Sequence, residues 1–333
     1  MADERFLILR MGALGDIVHT LPAVVALRES FPRAEIDWLV DRKWSPILEG
    51  NPDAGKIMSI DRRSWRNVLA TIRELRAARY TIALDFQSLY RSAILARLSG
   101  APRRVGFDNS YAREAAATLF YTKKVTPRRT HKIEHNLELV ESIGARAKEV
   151  RFPLFVSSEA AERVNHILST HGINDLFVLS PGGGWGSKCW PAERYGALHR
   201  ALVERYGWPG VISFGPNERG LAESVRRAAG LPEPLVELFN LPQLMALLRR
   251  AKFVVAADTG PLHLASALGT PVVGLYGPTD PARNGPFSKC DVVVRNASAA
   301  ETTYRREKTP APSMLSITVE QVLDAVARRL GAA

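Results

Sequence analysis

Arg10-Met11-Gly12-Ala13-Leu14-Gly15-Asp16-Ile17-Val18-His19-Thr20-Leu21-Pro22 is the stretch that decides how this chain folds. The apolar run Phe6 to Leu9 leads into it and reads as a buried strand. Its two glycines permit a tight turn, and Ile17 to Leu27 then carries apolar residues at helical spacing. Strand, glycine turn and helix present a site at the carboxyl edge of a parallel sheet. Asp16 stands where the turn becomes the helix. In a phosphate-binding loop the helix-start amides face an anion, and a carboxylate there competes for them and repels phosphate. Asp16 is therefore placed for chemistry, and a nucleotide belongs elsewhere in the chain.

Working outward, Ile36 to Val40, Ile57 to Ile60, Thr81 to Phe86 and Arg104 to Phe107 read as strands. Trp65 to Ala78, Ser88 to Leu98 and His131 to Ile143 read as helices. Continuous apolar strands alternating with helices predict a parallel sheet covered on both faces. A mixed, proline-interrupted segment over 144–158 reads as a linker, and a second strand–helix series begins at Phe177 to Leu179. Its further strands are Val211 to Phe214, Leu235 to Leu238, Phe253 to Ala257 and Val272 to Tyr276. Its helices are Ala192 to Tyr206, Glu218 to Ala229, Leu241 to Arg250 and Leu262 to Leu268, and a capped helix, Thr318 to Leu330, closes the chain. At 333 residues two domains fit, 1–158 and 159–333, facing each other across a ligand crevice.

Composition narrows the function. The net charge is +11, with the excess concentrated in the N-terminal half. Arg103 to Lys132 holds eight basic residues against Asp108 and Glu114 alone. Any one of these residues reads as ordinary solvated surface, but together they point to an anionic partner. The basic residues lack interleaved aromatics and belong to no recognised nucleic-acid module, which argues against DNA or RNA. Cys189 and Cys290 form no disulfide framework, the charged start Met1 to Arg5 is unlike a signal peptide, and the uncharged run Pro261 to Thr279 is broken by three prolines and three glycines. These features place the protein in the cytoplasm.

The nucleotide signals lie in the second half. Ser180-Pro181-Gly182-Gly183-Gly184-Trp185-Gly186-Ser187-Lys188 joins a strand to a helix, and its freed amides plus one lysine suit a diphosphate. The Walker A frame is absent, and a plain glycine-rich turn is the alternative. Asp258-Thr259-Gly260-Pro261-Leu262-His263 ends an apolar strand and opens a helix, where capping and phosphate binding use the same amides. Tyr276 to Pro281 ends the next strand, and Gly215-Pro216-Asn217-Glu218 sets Glu218 where a carboxylate can take ribose hydroxyls. His131-Lys132-Ile133-Glu134-His135 matches an inverted zinc-protease pattern, although an exposed basic helix explains it better. No Asp-x-Asp pair is present to hold a divalent metal on a diphosphate.

Met11 to Pro22 and Asp258 to Ala265 resemble the two signature motifs of glycosyltransferase family nine, which holds the ADP-heptose:lipopolysaccharide heptosyltransferases, and Tyr276 to Pro281 fits as well. The resemblance implies an α/β GT-B fold of two facing Rossmann-like domains with parallel sheets and a central crevice. It implies metal-independent, cofactor-free transfer of heptose from ADP-heptose to the Kdo/heptose inner core, with inversion. Carried over by position, Asp16 is the general base. Gly182, Gly183, Lys188, Thr259, Gly260 and His263 hold the ADP diphosphate, Asp258 the heptose and Glu218 the ribose. Arg10, Arg62, Arg63, Arg66 and Arg113 face the acidic acceptor, with Gln87 and Arg91 beside them. Peripheral contact with the cytoplasmic face of the inner membrane, and a last helix packed back on the N-terminal domain, complete the expectation. The loop Gly182 to Lys188 is richer in glycine than the threonine-bearing version in the family, and Thr302 to Leu315 lacks cysteine, which leaves the acceptor open. A nucleotide-sugar epimerase of the same architecture and a basic nucleic-acid-binding protein are the competing readings.

Overall fold

The computed structural model describes residues 4–331 and divides into two compact units at Phe155/Val156. The N-terminal unit runs β1 (Arg5–Leu9), α1 (Leu14–Val18), α2 (Leu21–Ser30), β2 (Glu35–Asp41), β3 (Ile57–Ile60), α3 (Trp65–Ala77), β4 (Ile82–Asp85), α4 (Tyr90–Leu98), β5 (Arg103–Phe107), β6 (Lys123–Val125) and α5 (Lys132–Glu141). Its sheet is parallel, in the order β3-β2-β1-β4-β5-β6. Central β1 pairs on both sides, Ile8 opposite Trp38 and Leu84, so its four residues Phe6 to Leu9 are fully buried. That explains the unbroken apolar run.

The C-terminal unit runs α6 (Ser158–Thr170), β7 (Phe177–Ser180), α7 (Ala192–Tyr206), β8 (Gly210–Ile212), α8 (Arg219–Ala229), β9 (Leu235–Val236), α9 (Leu241–Arg250), β10 (Val254–Ala257), α10 (Gly260–Ala267), β11 (Val272–Leu275), α11 (Pro281–Asn284), β12 (Val292–Val294), α12 (Pro312–Leu315) and α13 (Val319–Gly331). The strand order β12-β11-β10-β7-β8-β9 repeats the topology of the first unit. In such sheets the order reverses beside the first strand, and loops leaving the two strands at that point diverge to leave room for a ligand. The switch falls between β1 and β4 in one unit and between β7 and β10 in the other.

The structure corrects the sequence reading in several places. The helix expected over Ile17 to Leu27 is two helices, broken at His19-Thr20. Pro22 cannot donate to the carbonyl one turn earlier and would clash with it, so it sits in the first turn of a new helix. Helix α6 falls between the linker and the second strand series; it is capped by Ser157, whose hydroxyl accepts from the Ala160 amide, and buries Ala160, Val164 and Leu168 along one stripe. β6 and β12 are further additions. The closing helix α13 buries Val322, Ala325 and Val326 against α7, β11 and β12 of its own unit, and Arg329 pairs with Asp291 at 3.0 Å.

His199, on α7, gives the C-terminal unit a pH liability. It is 1% exposed, lies 5.6 Å from the Phe177 ring, and both ring nitrogens lack a hydrogen-bond partner among the described residues. Burial pushes its pKa down to about 4, so the folded protein holds it neutral. A lowered native value means that stability is complete above the unfolded pKa near 6.5 and is lost as pH falls toward 4. The loss by pH 4.5 should be about 2.5 kcal/mol from this residue. Thermal melts between pH 7 and 4.5 should therefore be flatter for His199→Leu than for the wild type; parallel curves would refute the assignment.

Candidate active site

The N-terminal unit builds its site at the carboxyl ends of β1 and β4. Asp16 is the third residue of α1, and its Oδ2 reaches back to the Ala13 amide at 3.4 Å. Arg10, the residue after β1, is pinned by a 3.4 Å hydrogen bond from Nε to the Thr20 hydroxyl, and its carbonyl accepts from Trp38 Nε1 at 3.1 Å. Around the Asp16 carboxylate stand Lys132 Nζ, 3.1 Å from Oδ1, and Arg113 Nη2 and Arg10 Nη1, 3.3 and 3.9 Å from Oδ2. Burial alone would push this carboxyl upward. Lys132, then Arg10 and Arg113, overcome it and hold the group well below the usual carboxylate range. The surrounding cations, and not the long contact with the Ala13 amide, hold the carboxyl down.

Asp85, at the end of β4, is fully buried and organises the neighbouring loop. It accepts from the amides of Gln87 (2.9 Å) and Ser88 (3.0 Å) and from the hydroxyls of Ser92 (2.7 Å) and Tyr121 (2.8 Å). Burial raises its pKa against these hydrogen bonds. The loop so shaped presents Gln87 Oε1 to the Met11 amide at 2.8 Å, which fastens the β4 loop to the β1 loop. Gln87 is thus an internal brace at the site's edge.

The remaining expected residues of this unit are spread along the same edge. Arg62 forks Asp41 through Nε and Nη2 (3.1 and 2.7 Å). Arg63 is exposed on the loop after β3, Arg66 is exposed on the first turn of α3, 5.5 Å from the ring of the 68%-exposed Trp65, and Arg91 is exposed on the first turn of α4. Only Arg10 and Arg113 of the expected set pair with Asp16. Lys132 was not foreseen, because its segment drew attention as a zinc pattern. That segment also is no exposed basic helix, since α5 buries Ile133, Leu137, Leu139 and Val140. His131 caps it, Nδ1 accepting from the Ile133 amide, while Glu134 accepts from the His131 amide and His135 Nε2 lies 2.8 Å from the Arg129 carbonyl. Among the described residues no group of three or more His, Cys, Asp or Glu side chains stands together as a metal site.

In the C-terminal unit the loop after β7 and the turn after β10 converge. Lys188 is buried, donates to the main-chain carbonyl of Asp258, and lies 3.2 Å from Asp258 Oδ2. It also sits 4.0 Å from the Trp185 ring. Asp258 Oδ1 is held by His263 Nε2 at 3.2 Å and by Asn284 Nδ2 at 2.7 Å. Burial would raise the Asp258 carboxyl, but His263 and Lys188 keep it far below its ordinary value. Thr259 occupies the N-cap of α10, its hydroxyl donating to the Ala257 carbonyl at 3.0 Å, and Gly260 and Pro261 form the first turn. The amides of that turn supply a positive end for an anion. Glu218 accepts from the Gly215 amide at 2.8 Å, and its carboxylate occupies the space a Cβ on Gly182 would need. A Cβ on Gly183 would collide with the main chain of Trp185 and Cys189. Gly183 is therefore required for the loop to close, whereas at Gly182 the Glu218 side chain would have to move. Asn284 was missed in the sequence; it sits one turn beyond the Asp280 cap and carries no motif of its own.

Residues 68–313 match glycosyltransferase family 9 (heptosyltransferase). The chain belongs to this family. As a family 9 glycosyltransferase it is 30% identical over 306 residues to lipopolysaccharide heptosyltransferase 1 of Pseudomonas aeruginosa, covering 86% of this chain and 82% of that protein. It is 28% identical to the Escherichia coli K12 heptosyltransferase 1, covering 87% and 93%. The solved E. coli heptosyltransferase WaaC with ADP-2-deoxy-2-fluoro heptose superimposes with a TM-score of 0.74 at 27% identity, covering 97% and 99%. A family 9 structure from Veillonella parvula gives 0.86 at 24% identity, over 100% and 99%. The α/β GT-B class expected from the motifs is thereby established, and the protein is a glycosyltransferase. Among the described residues no helix is long and apolar enough to cross a membrane.

Proposed function

We propose that this glycosyltransferase moves a heptose from ADP-heptose to the anionic inner core of lipopolysaccharide, with inversion, and that Asp16 takes the proton of the attacking hydroxyl. The observation that carries the reading is the ionised Asp16 carboxylate, buried at the end of β1 among Arg10, Arg113 and Lys132. The named substrates of the E. coli relatives and the WaaC complexes with ADP and a fluoro-heptose analogue support the donor. Lys188, His263 and the amides at Thr259-Gly260 are suited to the diphosphate, Asp258 to the adjoining sugar, and Glu218 to the ribose. Arg62, Arg63, Arg66 and Arg91 are suited to the acidic groups of the acceptor.

In this mechanism the acceptor oxygen forms a bond to the anomeric carbon as the bond from that carbon to the β-phosphate oxygen breaks, and the hydroxyl proton passes to Asp16. The departing ADP takes the electron pair, and its charge is met by Lys188 and the α10 dipole. An acceptor anchored in lipid brings the basic N-terminal unit to an anionic membrane face, a contact that should be lost at high salt.

ADP at a hundred times its dissociation constant should stabilise the protein by about 2.7 kcal/mol, visible as a raised melting temperature, with UDP and GDP giving less. Equal shifts for all three would count against the adenine donor. Turnover of ADP-heptose without acceptor would favour the epimerase.

A further inference from the structure

We infer that Lys132 is a positioning residue that covers Asp16 and is drawn off by an anionic group of the acceptor, so that acceptor binding itself exposes the base. This deepens the proposed function and rests on it for the role of Asp16. The two carboxylate oxygens are held unequally. The closest approaches of the Ala13 amide, Arg113 and Arg10 are to Oδ2, whereas that of Lys132 Nζ, at 3.1 Å, is to Oδ1. Moving a single side chain therefore frees Oδ1 for a hydroxyl proton while Oδ2 stays anchored.

The cations also differ in freedom. The Arg10 side chain is 7% exposed and pinned to Thr20, but Lys132 is 28% exposed and Arg113 48%. Lys132 opens α5, whose buried face and His131 cap hold the helix still. Its ammonium can thus swing on a flexible four-carbon stem without disturbing the fold. A carboxylate clamped by cations is a poor base. An anion that competes for the ammonium removes positive charge from Asp16 and raises its proton affinity when the hydroxyl arrives. The other groups facing Asp16 are Arg10, Arg113 and, at the end of α1, His19. The closest approaches of Arg10 and Arg113 are to Oδ2.

The test follows the Asp16 carboxyl by 13C NMR in protein labelled at the aspartate side-chain carboxyl, its signal assigned by loss in Asp16→Asn. Two arms are read. Lys132→Met should raise the Asp16 titration midpoint by about one unit or more, with Lys132→Arg restoring the wild-type value. Saturating wild type with the sugar acid Kdo should raise it likewise, while a neutral hexose leaves it unmoved, and Kdo should bind Lys132→Met at least about tenfold more weakly. An unchanged midpoint in Lys132→Met, or a wild-type signal that does not respond to Kdo, overturns the inference. The readout needs no donor. A protein that passes it but transfers no heptose refutes the proposed function alone, and one that transfers heptose but fails it refutes this inference alone.

Discussion

Asp16→Asn is expected to lower heptosyl transfer by about a hundred- to ten-thousandfold in kcat, the range set by loss of a positioned base. Affinity for ADP should be essentially unchanged, because no residue expected to hold ADP contacts Asp16. The amide keeps the shape and can still accept from the Ala13 amide, but it cannot take a proton from a hydroxyl. It also leaves Arg10, Arg113 and Lys132 without their shared anion. Two of these cations are partly solvated, so the variant should melt modestly lower while remaining folded. ADP binding to the variant separates lost chemistry from lost structure. Turnover near the wild-type rate would eliminate Asp16 as the base.

Lys188→Met should have the second largest effect, on the other half of the reaction. Lys188, with His263, holds the buried Asp258 carboxyl far below its ordinary range. Removing one member of a buried pair costs about 3–5 kcal/mol when the other charge is left behind. Asn284 and His263 remain on Asp258 Oδ1, so the loss should fall toward the lower end. The same substitution removes the ammonium that meets the departing diphosphate, and ADP should bind about a hundredfold more weakly. Calorimetric titration with ADP measures this directly. Unaltered affinity, with the variant folded, would show that the α10 amides hold the diphosphate unaided.

Both effects trace to residues whose position could be read from sequence, while their partners could not. Asp16 and Asp258 each follow an apolar strand and open a helix, so spacing alone puts them at a sheet's carboxyl edge. Lys132 lies more than a hundred residues from Asp16, and its approach depends on α5 packing beside α2, which no local pattern encodes. The strands legible in sequence are those buried on both faces, such as β1 and β10. β6 escaped because Lys123 and Lys124 are exposed on an edge. The stripe of α6 is spelled by Ser157, Ala160, Val164 and Leu168, but it lies between the linker and the second strand series, outside both readings. A five-residue zinc pattern hid an ordinary helix cap, a reminder that His-x-x-Glu-His also spells a capping box.

The most direct test of the account is acceptor-dependent transfer by the purified full chain. ADP-heptose is supplied with and without a Kdo-terminated lipid A acceptor, and released ADP and acceptor mass are followed together. The account predicts one ADP for each heptosyl residue gained by the acceptor, with β-linked and α-linked products distinguished by NMR to show inversion at the anomeric carbon. ADP-heptose that is unchanged in the presence of acceptor, or product that retains the donor's configuration, would contradict it.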